Sequence, residues 1–186
     1  MSRTNRFLGL LCLTVMLAPA PGAIADTIPV TSAELRVEDE EVVLNAQFDV
    51  VLNPTLEEAL QKGVVLYFVQ EFELARPRWY WFDEKVIQQS VQYRVSYSAL
   101  TRQYLLKSGL LPGQQLNSLE EVERQLSRVV ARPVAQLDQL TRATRYDAGV
   151  RLRLDVTLLP KPFQINALAS RDWSLQSDWY RFGFTP

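Results

Sequence analysis

The chain has no histidine and a single cysteine, Cys12, among its 186 residues. Ser-His-Asp and Cys-His nucleophile systems, His- or Cys-ligated zinc, haem carried on His and iron–sulfur clusters all need side chains that are missing here. Glycine is scarce, at 7 residues against 10 prolines, and 47% of the chain is hydrophobic, which excludes collagen-like and disordered classes. Positive charge is not in excess: 20 Lys and Arg stand against 21 Asp and Glu, so there is no basic field to hold a nucleic acid. Neither a phosphate-binding glycine loop nor a Ser-x-x-Lys motif is found. No repeat of roughly 20 to 50 residues is visible either. Carboxylates, Lys, Arg, Tyr and Ser remain as the chemical repertoire, and no cofactor or metal ligand set is expected.

The amino terminus carries the pattern of a cleavable export signal. Arg3 and Arg6 form a positive start, Phe7 to Leu17 is an apolar run of 11 residues, and Ala23-Ile24-Ala25 is a small-x-small cleavage site before Asp26. A membrane anchor needs about 20 apolar residues, and Pro19, Pro21 and Gly22 interrupt this run too early. Cys12 follows Leu10 and Leu11, too early for a lipid anchor. The expected organisation is therefore a signal peptide over 1–25 and one β-rich domain over 26–186, periplasmic and without a membrane span. Loss of Arg3 and Arg6 takes the basic count from 20 to 18 against the same 21 acids, a net charge of −3. An oxidising compartment with no disulfide leaves packing alone to hold the fold.

Alternation dominates the rest. Ala33, Leu35 and Val37, then Val42 to Leu52, read as two strands joined by a polar turn at Glu38 to Glu41. Asn53-Pro54 and Gly63 bracket a two-turn helix over Thr55 to Lys62. Val64 to Leu74 begins apolar on both faces, which places that strand centrally in a sheet. Ile87 to Ser98 is a second long strand and Arg102 to Leu106 a partner for it, followed by a loop over Gly109 to Gly113. Ser118-Leu119-Glu120-Glu121 is a capping box opening an amphipathic helix to Val129. Arg132 to Leu137 fits an edge strand because of Pro133. Tyr146 to Leu158 is the cleanest alternation; Phe163 to Ala169 suits a short helix, and Trp173 to Phe182 carries a last strand. Eight or nine antiparallel strands in this length would split into two packed sheets, so the expected fold is a β-sandwich, loosely immunoglobulin-like, with two or three short helices. An open α+β sheet is the alternative.

The most distinctive segment is Arg76-Pro77-Arg78-Trp79-Tyr80-Trp81-Phe82-Asp83-Glu84. Exposed Trp and Tyr can stack on sugars or grip a peptide, and Arg76 and Arg78 can hold an anionic group. The plainer reading has these aromatics closing one end of the sandwich. Arg151, Arg153 and Asp155, with Arg145, fit a solvated face laced with cross-strand ion pairs better than a basic binding stripe. Hydrolysis without His would need a carboxylate pair, for which Asp83, Glu84 and Asp172 are the candidates.

Four blocks together resemble a known family: Gly63 to Phe68, Arg76 to Phe82, Tyr97 to Tyr104 and Leu159 to Leu168. They are similar to the exported proteobacterial proteins grouped as domain of unknown function 4390. The resemblance brings no catalytic residue or cofactor; it implies at most a periplasmic partner role in sensing, beside an envelope sensor kinase. The expectation is a non-catalytic interaction module with an envelope protein as partner, whose contact residues are Arg76, Arg78, Trp79, Trp81, Asp83 and Glu84. The alternative is a carboxylate-based cell-wall hydrolase or a glycan-binding protein. Mass spectrometry of the native protein should find a chain beginning at Asp26; an intact amino terminus in the membrane fraction would overturn the export reading.

Overall fold

A computed structural model of the chain describes residues 27–80, 83–109 and 111–186. The expected signal peptide, Cys12, the cleavage site and Trp81 lie outside the described residues. The chain opens with a hairpin of β1 (Val30–Glu38) and β2 (Glu41–Phe48). Asp39 and Glu40 both take positive φ, 47° and 67°, as a two-residue type I′ turn requires. Helix α1 (Pro54–Gln61) follows, with the Asn53 side chain accepting from the Leu56 N–H at 3.0 Å. It stops at Gly63, φ 84°, where the N–H groups of Gly63 and Val64 return to the carbonyls of Leu60 and Ala59, a Schellman closure. That closure consumes Val64, so the next strand begins later than its apolar run suggests.

Next comes a meander: β3 (Leu66–Arg76), β4 (Glu84–Ser98), β5 (Gln103–Ser108) and β6 (Gln114–Leu116). Helix α2 (Leu119–Ser127) is capped by Ser118 as expected, but it ends two residues short of Val129. Arg128 is already extended, and the Ser127 hydroxyl accepts from the Val50 N–H at 3.2 Å, fixing the exit. Val129 therefore belongs to β7 (Arg128–Gln136). The strand β8 (Tyr146–Leu154) is shorter than its alternation, because Asp155 accepts from the backbone N–H and hydroxyl of Thr157 and turns Val156–Leu158 into a 3-10 turn. Helix α3 (Lys161–Ala169) and β9 (Tyr180–Phe184) complete the chain, with Trp173 in a 3-10 turn rather than in the last strand.

All ladders between these strands are antiparallel, in two open sheets that share one core. The larger runs β6-β5-β4-β3-β8-β9 and the smaller β1-β2-β7, so neither closes into a barrel. This is the layered, mainly β architecture expected, with three short helices and β3 central between β4 and β8. The small sheet is half as wide as the large one; β1 lies near β9 and β7 near β4, while α1 packs on β4 and α2 on β5 and β6. The helices thus cover what the three-stranded sheet leaves bare. Val42, Leu44, Phe48, Leu66, Phe68, Phe72, Leu74, Val150 and Leu152 fill the interior.

One polar group crosses that interior. Arg132, opposite Leu44 in β7, has its Nη1 on the Oε1 of buried Gln70, which also accepts from the Tyr93 hydroxyl at 3.3 Å. Burial lowers the Arg132 pKa from its ordinary value, and among the described residues its Nε and Nη2 find no acceptor. A guanidinium with two idle buried donors costs stability, but it ties β7 to β3 and β4 at one position. The core test is at Leu152, fully buried: Leu152→Ala should lower the unfolding free energy by about 2 to 5 kcal/mol in denaturant melts. A change below about 0.5 kcal/mol would show the strand's faces to be reversed.

Candidate functional site

The distinctive segment is the link between β3 and β4. Arg76 and Glu84 are the last cross-strand pair, and Pro77, which lacks an N–H donor, follows directly. Glu84 receives both expected arginines: Arg76 through Nε at 3.0 Å and Nη2, and Arg78 through Nη2 at 2.6 Å. Hydrogen bonds from Arg76 and then Arg78 hold the Glu84 carboxyl below its ordinary value. The Arg78 N–H also points to Asp83 Oδ1 at 3.4 Å, across the base of the link. Above this brace Trp79 is 94% exposed and Tyr80 65% exposed, packed edge to face with ring centroids 5.2 Å apart. Trp79 therefore does not close the end of the core, as the plainer reading held; it projects from a stiffened base. Of the six expected site residues, Arg76, Arg78, Asp83 and Glu84 meet, and Trp79 stands beside them.

Behind the hairpin, the outer face of the large sheet carries a ladder of charge. Glu71 on β3 takes Arg151 and Arg153 from β8, and Arg153 also reaches Asp155 at 3.7 Å. Glu73, its side chain only 5% exposed, lies between Lys85 of β4 at 3.1 Å and Arg181 of β9 at 2.8 Å. Burial alone raises the Glu73 pKa; hydrogen bonds and charge from Lys85 and Arg181 together hold it below the ordinary value. Arg151 and Arg181 both lie over the ring of Trp179, at 4.7 and 5.6 Å from its centroid. The arginines of β8 are thus spent on internal pairing, as the sequence pattern suggested. Where this face meets the hairpin, a groove of about 540 Å³ is lined by residues that include Asp83, Lys85, Arg145, Asp147 and Arg181.

Trp179, Glu73 and Arg181 were not singled out from the sequence. The signal that could have found them is Gly149, a lone glycine inside the cleanest strand, which implies a close neighbour over the backbone. A Cβ at Gly149 would lie 3.1 Å from Trp179 and 3.3 Å from Glu73.

The acids of this region are already engaged. Glu84 is locked as a carboxylate between two guanidinium groups, which removes it as a proton donor near neutral pH. Asp172 accepts from the hydroxyl of Ser170 at 2.9 Å, while its backbone carbonyl takes the Asn53 amide beside α1. Strand β3, about 35 Å long, separates that region from the hairpin, so Asp172 and the Asp83–Glu84 pair do not meet. Burial, first of its causes, raises the Glu123 pKa; the side chain accepts from the Leu52 N–H at 2.7 Å and braces α2. No group of three acidic side chains that could hold a metal ion gathers among the described residues.

The fold and site together define a class: an open, two-sheet antiparallel β domain with a braced aromatic hairpin at one end. Within that class the chain belongs to the family described as domain of unknown function (DUF4390), whose profile matches residues 25–183. Neither a curated protein nor a solved structure matches it. Among the described residues no helix is long and apolar enough to cross a membrane.

Replacing Gly149 with Val should push Trp179 off the sheet and cost about 1 to 3 kcal/mol. Denaturant melts report the loss and tryptophan emission reports the displaced ring; an unchanged midpoint would show that the ring gives way freely.

Proposed function

We propose that this chain is a non-catalytic interaction module of the cell envelope, exported by its amino-terminal signal and working in the periplasm. The observation that carries the reading is the exposed Trp79–Tyr80 pair on a hairpin braced by Arg76, Arg78 and Glu84. Binding hot spots are rich in Trp, Tyr and Arg, and a rigid aromatic presented from a stiff base loses little conformational freedom on binding. A projecting tip of this kind suits a pocket in a protein partner, and the groove beside it offers charge of both signs for the rim of such an interface. An envelope sensor kinase is the partner class that the family resemblance suggests. Against the hydrolase reading stand the locked Glu84 and the distance of Asp172.

Crosslinking in living cells from a photoreactive residue in place of Arg78 tests this. One reproducible protein adduct is expected, and Trp79→Ala should weaken the contact by about 2 kcal/mol, roughly thirtyfold. A glycan adduct would move the site to wall binding. Peptidoglycan turnover abolished by Asp83→Asn or Glu84→Gln would overturn the non-catalytic reading.

A further inference from the structure

We propose that the chain pairs with a second copy of itself along the free edge of β1, joining two three-stranded sheets across a two-fold axis at Leu35. Unpaired strand edges invite pairing unless they are short, interrupted or covered. Of the four outermost strands, β6 has 3 residues and β9 has 5, and the half of β4 that runs past β5, Glu84–Gln92, is broken by a bulge at Val86. Strand β7 carries Pro133, shifts register twice against β2, and already gives the Val134 carbonyl to Gln89 Nε2 at 2.9 Å. Strand β1 has 9 residues, makes its ladder with β2 alone, and runs without interruption from Ser32 to Glu38; Tyr180 of β9 lies beside its Ser32–Arg36 stretch without pairing to it. It carries no proline, and most of its residues are exposed.

The hairpin fixes which backbone groups are free. In a two-residue turn the closing pair, Glu38 and Glu41, exchanges both hydrogen bonds, so Glu38, Arg36, Glu34 and Ser32 bond inward to β2. The N–H and C=O groups of Ala33, Leu35 and Val37 then face outward, available to another strand. An antiparallel copy centred on Leu35 sets Leu35 against Leu35, Ala33 against Val37, and Glu34 against Arg36 twice over. The apolar pairs fall on the core side of the sheet, where Ala33 and Leu35 are half-buried and Val37 remains 44% exposed. Glu34 and Arg36 share the other face, where they now pair with each other at 2.6 Å and are both more than half exposed, free to exchange partners. An axis at Glu34 would oppose two carboxylates, and one at Arg36 two guanidinium groups and Glu34 against Glu38. An axis at Val37 would engage only the last turn of the hairpin. The Leu35 register aligns seven residues, pairs Glu34 with Arg36 twice, sets Glu38 against uncharged Ser32, and opposes no like charges; an interface that matches itself closes as a dimer.

Sedimentation of the protein purified from the cells that make it should show mass doubling with a midpoint in the micromolar range, on the order of 10 μM. Arg36→Glu, which sets carboxylates face to face, should weaken pairing at least about tenfold, and the double exchange Glu34→Arg with Arg36→Glu should restore it. Both positions are solvent-exposed, so circular dichroism and melting should be unchanged in all three proteins at concentrations well below that midpoint. As a second readout, Leu35→Cys should form an intermolecular disulfide, since opposed Cα atoms lie about 5.5 Å apart in such a pair, while Gln47→Cys in the neighbouring strand should not. A wild-type chain that stays monomeric at about 100 μM, or a double exchange that fails to restore what the single change removed, would overturn the proposal.

Discussion

Two carboxylates on the central strand govern how the large sheet is assembled. β3 is covered on both faces, and its outer face carries Glu71 and Glu73 where a buried strand would ordinarily carry apolar residues. A desolvated carboxylate is tolerable only when paired, so each draws cations from the neighbouring strands. Glu73 reaches Lys85 on one side and Arg181 two strands away on the other; Glu71 takes Arg151 and Arg153. Four strands are thereby held in one register by groups that would be destabilising if any strand slipped by a residue, since a slip moves every side chain to the opposite face. Trp179 lies under two of these guanidinium groups and over Gly149, joining the network to the backbone of β8.

The inner face solves a different problem. A six-stranded sheet meets a three-stranded one, and the deficit in width is met by α1 and α2 rather than by further strands. The helices bury Leu56, Leu60, Val122 and Leu126 over the uncovered strands. At the seam where β7 passes over β4, the filling is polar, with Arg132, Gln70 and Tyr93 in place of aliphatic side chains. The hairpin that carries Trp79 grows from the same long strands, so its base inherits the rigidity of the sheet's centre. Its ion pairs confine the backbone on either side of the aromatic tip.

Much of this is legible in the sequence. Period-two alternation located β2, β3, β4 and β8, and the caps at Asn53 and Ser118 located two helices, because those signals depend only on neighbours in sequence. What misled was local competition: the Asp155–Thr157 hydrogen bonds cut short an alternation that continues to Leu158, and Arg128-Val129-Val130 leaves the helix despite hydrophobic spacing that suits it. β6, with three residues after a proline-containing loop, has too short a pattern to be read. At the site, the residue types from Arg76 to Glu84 marked the segment, but not that one glutamate would take both arginines. Glu73 with Arg181, and Arg151 with Trp179, join residues far apart in the chain; no spacing rule reaches that far.

The order of the strands also bears on how the chain reaches this state. Local hairpins join β1 to β2 and link β3 through β6, but β2 must wait for β7 and β3 for β8, with Glu41 and Gln136 separated by 95 positions and Glu71 and Arg151 by 80. Closing such loops before any contact rewards them makes assembly slow relative to a helical domain of this size. Until β8 arrives, the flank of β3 is an open edge bearing Phe68, Phe72, Glu71 without its arginines and Glu73 with Lys85 alone. Those acids are gatekeepers in the unfinished chain: their like charge discourages two immature molecules from pairing through the strand that the finished sheet hides most completely.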